Sequence, residues 1–322
     1  MTGCALAWES LRGDPLSWLL DSGRSNLHWK VLEELVQRPA SSAAVVRARS
    51  GANAAEPVAS LLADLHPDGT WVDRGDYWRR YRGPGWRLIA AVQWGADPSD
   101  PRLQAAADAL LETAPGDGGF AFRDRGKAVP WLTARLLHAL SELGWCRNSR
   151  FQEGLAWLED GAAPTPQGGW PIVGRRHTGN ECEVTAVAVL GVLSTCSEHR
   201  RVALLKRAVE SLMRSLTGLR GGLRRLGHPG LARTDVGEIL WLLARNNVPL
   251  TAEMIPALAI LQRKQGVGGR WLREFPVPNS LPIDRRPPAG VPSRWVTLKS
   301  SVALLHYAVE AELPRMYPQK PK

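Results

Sequence analysis

Two acidic residues, Glu181 and Glu183, stand where an apolar helix begins, directly after a basic loop holding Arg175, Arg176 and His177. The whole stretch, residues 167–193, reads QGGWPIVGRRHTGNECEVTAVAVLGVL: a Gly-Gly-Trp turn, the basic loop, then an acidic first helical turn ahead of an apolar run. Carboxylates at such a point have two uses. Next to the unpaired N–H groups of a helix N-terminus they are stabilised as anions and act as caps. In a dry pocket beside a second carboxylate, one of the pair keeps its proton and becomes an acid. Asp235 opens a later helix as Arg233–Thr234–Asp235–Val236–Gly237–Glu238, which fits a cap and equally a further acid at the same mouth.

Acid chemistry on an apolar substrate needs aromatic faces to stabilise positive charge. Of fourteen tryptophans, Trp86, Trp131, Trp241 and Trp295 fall on strongly apolar helical stretches and are the candidate lining, the alternative being that they only fill volume. Arg175, Arg176 and His177 would meet an anionic head group. No pair among His177, Cys182, Asp235 and His306 stands at the i, i+4 spacing of a strong metal motif, so no metal and no cofactor are expected. No P-loop, dinucleotide fingerprint, HExxH or nucleophile elbow occurs.

The elements that must hold these residues recur with a period. The turns DGTW, DGGF, QGGW, RGGL and VGGRW have their first common glycines at Gly69, Gly118, Gly168, Gly221 and Gly268, spaced 49, 50, 53 and 47 residues apart. Each turn follows an amphipathic stretch and precedes a more apolar one, so one repeat is a helix pair. The apolar members are residues 27–38, 86–94, 131–143, 183–193, 236–244 and 295–307. Their amphipathic partners are 43–65, 102–113, 150–160, 201–216 and 252–265, with 5–20 completing the set if the chain ends meet. Six pairs imply an all-α, closed α/α toroid in a single domain, 1–322, with an open solenoid as the competing architecture. The Pro-rich segment 275–292 reads as a long loop within the last repeat.

Hydrophobic content of 44% supports a sizeable core, and a net charge of +10 points to an anionic partner or to a bias toward arginine. Nucleic acid is not expected, since no module accompanies the charge. No stretch is apolar enough to span a membrane, and the first residues lack the pattern of a leader, so a cytoplasmic protein is expected. Cys4, Cys146, Cys182 and Cys196 are few and scattered, which predicts free thiols.

The fifty-residue repeat with GGW or GGF turns resembles the terpenoid cyclase and protein prenyltransferase toroid superfamily. Val291–Pro292–Ser293–Arg294–Trp295–Val296–Thr297–Leu298 is similar to the ending of small bacterial single-toroid members. In squalene-hopene-type cyclases the protonating acid lies in a D-x-D-D-T-A motif. Glu181–Cys182–Glu183–Val184–Thr185–Ala186 resembles it, with Glu183 at the acid, Glu181 at the first Asp and Val184 where the second would be. The resemblance implies acid-initiated cyclisation of an isoprenoid, or another apolar chain, inside a central aromatic cavity. The alternative is a non-catalytic toroid binding a lipid, peptide or protein partner.

Overall fold

The computed structural model describes residues 11–21, 26–71, 79–112, 118–121, 127–172, 181–196 and 201–311. They form thirteen α-helices joined by turns and single-turn helices, and the only extended pairings among them are isolated bridges such as Pro171 with Glu181. The inner set is α5 (Pro84–Gln93), α7 (Pro130–Glu142), α9 (Glu183–Thr195), α11 (Val236–Arg245) and α13 (Arg294–Ala311). Each packs against the next in that order. Outside them lie α4 (Val58–Leu62), α6 (Pro101–Glu112), α8 (Ser149–Ala156), α10 (Val202–Thr217) and α12 (Ile255–Lys264), each touching the inner helix that follows or precedes it. The short helices α1 (Leu16–Leu20), α2 (His28–Glu34) and α3 (Ala43–Ser50) complete the N-terminal part.

The repeated turns explain themselves residue by residue. Gly69, Gly118, Gly168 and Gly268 have φ of +79°, +88°, +90° and +66°, a region open to glycine and strained for other residues. The second glycine serves close approach: a Cβ on Gly169 would overlap the Glu181 carboxylate, and one on Gly119 would overlap Ala128. The tryptophan then locks the turn to the preceding outer helix. Trp71 Nε1 donates to the Leu61 carbonyl, Trp170 Nε1 to that of Leu158 and Trp271 Nε1 to that of Leu261, all with rings at most 2% exposed. A buried indole thus finds both its apolar surroundings and its hydrogen-bond partner within one repeat.

The chain closes on itself. The Arg12 N–H donates to Gln265 Oε1, and the guanidinium groups of Arg270 and Arg294 lie over the Trp18 ring at 4.6 and 5.0 Å. The N-terminal segment therefore sits on the last GGRW turn and on the start of α13. From the other side the Asp284 N–H of the Pro-rich loop donates to Ser60 Oγ of α4, tying the last repeat to the first. The ring, not the open solenoid, is the architecture.

Three expectations are corrected. The stretch 43–65 is two helices, interrupted at Gly51 and restarted after Pro57, which as a proline cannot donate to a continuing helix. The first apolar stretch gives only the seven-residue α2, which lies against the C-terminal ends of other inner helices: Trp29 Nε1 donates to the carbonyl of Gly95 beyond α5, and Lys30 pairs with Glu142 at the end of α7. Cys146 and Cys196 are not free thiols; they form a disulfide with Cα atoms 5.8 Å apart. Their separation of 50 residues is the repeat period, so both follow an inner helix at the same height in adjacent repeats. Cys182 is free and buried, and Cys4 lies outside the described residues.

Two measurements check this account. Trp271→Phe, which keeps most of the packing and loses the N–H donor, is expected to cost about 1 kcal/mol in urea unfolding, against about 3–5 kcal/mol for Trp271→Ala. A non-reducing proteolytic digest read by mass spectrometry should contain the Cys146 and Cys196 peptides joined, and separated only after reduction.

Candidate functional site

The middle of the ring is occupied by charge. On α7, Arg135 and Glu142 are seven residues apart; on α11, Glu238 and Arg245 are too, in the opposite order. Seven residues is close to two helical turns, so both members face the same way, about 10 Å apart in height. Because the helices run parallel, each carboxylate meets a guanidinium across the ring. Arg135 donates from both terminal nitrogens to Glu238 at 3.1 Å, and Arg245 donates to Glu142 at 3.3 Å. A second cation flanks each carboxylate: Lys299 of α13 lies 3.5 Å from Glu238, and Lys30 of α2 lies 2.7 Å from Glu142. Between the two levels lies the Trp241 ring, with Lys299 at 4.9 Å and Arg245 at 5.1 Å from its centre, its N–H donating to Glu34 Oε2 at 2.5 Å.

Burial raises the proton affinity of both carboxyls, and the paired cations overcome it. Glu238 is held far below the usual carboxylate range by Arg135 and Lys299, and Glu142 by Lys30 and Arg245. Both remain ionised. Burial, reinforced by Arg135 and Arg245 against the pull of Glu142, depresses His138 to about 3, so this histidine is neutral. The free space left at the centre is about 40 Å³, walled by these charged groups with His228, Ile89, Val92, Trp241 and Trp295.

The expected acids stand elsewhere. Glu181 turns toward α10, accepting from Gly169 N, Thr165 Oγ1, Ser211 Oγ and Arg214. Burial raises its pKa, but the bonds from Arg214, Ser211 and Thr165 hold it below the ordinary value, so it binds the GGW turn to the outer helix as an anion. Glu183 is the first residue of α9 and half-exposed; it lines an open pocket of about 420 Å³ with Val184, Arg220, Arg225, Arg233 and Phe275. Asp235 caps α11: Oδ1 accepts from Glu238 N and Oδ2 from Gly227 N. It is buried, and burial together with the Glu238 charge raises its pKa to about 6.

Trp241 and Trp295 line the central space. Trp86 and Trp131 instead pack on each other near the N-termini of α5 and α7, ring centres 5.7 Å apart. Arg175, Arg176 and His177 lie outside the described residues. No three His, Cys, Asp or Glu side chains converge as a metal site among the described residues. Sequence reasoning missed Arg135, Glu142, Arg245, Lys299 and Lys30. Their signal was present: a charge at every second turn of otherwise apolar helices.

No protein-family profile matches the chain, and no curated protein matches it. Solved structures do. The type II terpene cyclase MstE from Scytonema, in its apo form, is similar over 96% of this chain and 99% of its own, at 17% identity and a TM-score of 0.44. A variant of that enzyme in complex with its substrate, geranylgeranyl dihydroxybenzoate, is similar over 96% and 98%, at 17% identity and a TM-score of 0.43.

Glu238→Gln would leave Arg135 and Lys299 buried with no carboxylate between them, and chemical denaturation should show a loss of about 3–5 kcal/mol. The raised pKa of Asp235 gives a second expectation. The native state holds this proton to about pH 6 and the unfolded chain only to 3.8, so the stability it contributes is full below pH 3.8 and lost as pH rises through 6. The size is about 3 kcal/mol at 1.36 kcal/mol per pKa unit. His138 pushes the other way across this window, since it takes a proton more easily when unfolded. The contribution is therefore read as the difference between the wild type and Asp235→Ser, which keeps a capping oxygen: the serine variant should lack the decline between pH 4 and 6.

Proposed function

We propose that this protein binds an apolar small molecule by its anionic head group at the basic mouth of the ring. The observation that carries this reading is the contrast between two spaces. The centre keeps about 40 Å³ among ion pairs, too little for a folded polyene, whereas the pocket beside Glu183 offers about 420 Å³ with three exposed arginines and a phenylalanine. Arg220, Arg225 and Arg233 outnumber the single carboxylate of Glu183, and the free N–H groups at the start of α9 add to the attraction for an anion. Phe275 provides an apolar contact, with the Arg233 guanidinium 5.8 Å from its ring centre. A carboxylate or diphosphate suits this set, and Arg175, Arg176 and His177, immediately before α9 in sequence, belong to the same proposal.

Acid-initiated cyclisation, with Glu183 as acid and Glu181 and Asp235 as its partners, is the second reading. One observation favours it: Asp235 is a buried carboxyl that holds its proton to about pH 6 near the same end of the ring. Glu181 turns away to Ser211 and Arg214, and among the described residues Phe275 is the one aromatic ring lining the pocket of Glu183. No helix among the described residues is long and apolar enough to cross a membrane. The Cys146–Cys196 bridge is of a kind that persists in oxidising surroundings, which argues against the reducing cytoplasm expected from sequence.

Calorimetric titration with a C20 prenyl diphosphate, the matching alcohol and inorganic diphosphate tests the first reading. The diphosphates should bind, and Arg225→Ala with Arg233→Ala should weaken them at least tenfold, about 1.4 kcal/mol. Equal binding of the alcohol, or indifference to the arginines, would overturn it. Cyclised product in the same incubation, lost in Glu183→Gln or Asp235→Asn, would establish the second.

A further inference from the structure

The small central space has features that ion pairing alone leaves unexplained. His228 borders it and is 1% exposed; its ring approaches the Gln93 carbonyl but is too poorly aligned for a hydrogen bond, and neither ring nitrogen has another partner among the described residues. The ring cannot turn to find one: it is stacked on Trp295, centres 4.6 Å apart and planes 13° apart, with Trp94 edge-on at 6.1 Å. Burial, with Lys299 and Arg273 nearby, holds its pKa well below the ordinary value, so it presents one N–H and one bare nitrogen. Lys299, 5% exposed, has one hydrogen-bond partner among the described residues, Glu238 at 3.5 Å, besides the face of the Trp241 ring at 4.9 Å, and keeps further N–H groups unused. Arg135 Nε also lacks an acceptor. The surplus is of donors.

Charge is in surplus with the same sign. The wall carries Lys30, Arg135 and Lys299 against Glu142 and Glu238. Arg273, 3% exposed and without a carboxylate partner among the described residues, adds positive charge near His228. Counting Asp235 as ionised still leaves the level of Glu238 one positive charge in excess. Water would satisfy donors but not this charge. The room of about 40 Å³ corresponds to roughly three water-sized positions at ~10–15 Å³ each. That admits a small anion and excludes a phosphate ester or a prenyl chain.

We infer that the centre of the ring is a binding site for a small monoanion, of the size of formate, acetate or a halide, held by Lys299, His228 and Arg135. Such an ion accepts from the unused N–H groups of Lys299 and His228, offsets the excess charge, and for a carboxylate sets its carbon against Ile89, Val92 and Trp295. The site is separate from the arginine pocket at the mouth and stands whether or not that pocket binds a head group.

Two measurements decide it. Thermal unfolding titrated with sodium formate, sodium acetate and sodium bromide at constant ionic strength, with sodium sulfate as the reference, should show saturable stabilisation by one or more monoanions, and with sulfate only the unsaturating rise that a surface-excluded salt gives. His228→Phe, which keeps the stack on Trp295 and removes the N–H, should weaken that response at least tenfold, while Lys206→Ala, on the exposed face of α10, should leave it unchanged. Should His228→Phe not fold, the wild type alone suffices: crystals grown in bromide should give an anomalous peak between Lys299 Nζ and the His228 ring. Water alone at that position, or a response no different from that to sulfate, would overturn the inference.

Discussion

Buried ions stabilise a fold only when their partners arrive at matching heights, and this ring is arranged around that requirement. Arg135 and Glu142 on α7 face Glu238 and Arg245 on α11, and both pairings join residues 103 positions apart, about two repeats. Sliding either helix along its axis by one turn would separate both pairs at once and leave four charges in a dry interior, where each unpaired ion costs several kcal/mol. The fifty-residue repeat fixes the helix spacing, and the ion pairs fix the register. Between α7 and α11 stands α9, which bears no charge after Glu183 and fits because its residues are small where α7 comes near: a Cβ on Gly191 would overlap the His138 ring.

Filling the centre with charge moves the place where a large ligand can sit. A toroid with an open core can enclose an apolar molecule; one crossed by ion pairs presents its chemistry at the ends of the inner helices. There the helix N-termini and the arginines of the following loops act together, and Arg220, Arg225 and Arg233 reach the same pocket from the RGGL turn and the loop before α11. That turn is also the one that departs from the others: Gly221 lacks the positive φ of its counterparts, and Leu223 stands where the rest have an aromatic ring. The least regular repeat borders the arginine pocket.

The ring was legible because its causes are local. A glycine forced to positive φ and an indole bonded to a carbonyl about ten residues earlier leave a mark within one repeat, so the period could be read directly. The site was less legible because its causes are distant. Glu181 and Glu183 looked like a pair since they are neighbours in sequence, yet with the extended Cys182 between them one bonds to Arg214 and the other lines the open pocket at the start of α9. Arg135 and Glu142 were visible as charges in an apolar helix, but nothing near them in sequence names Glu238 or Lys299 as partners. The disulfide was hidden for the same reason: scattered cysteines become neighbours only when the ring places successive repeats side by side.

Among the described residues, the closure that joins the N-terminal segment to the last turn is made of the Arg12 N–H bond to the Gln265 side chain, two guanidinium groups on Trp18 and packing, with no covalent link. The bridge between Cys146 and Cys196 lies on the far side of the chain order. The ring thus has a riveted arc and a clasp. The seam between the first and last repeats, which the bond from Asp284 N–H to Ser60 Oγ also crosses, therefore rests among the described residues on non-covalent contacts alone.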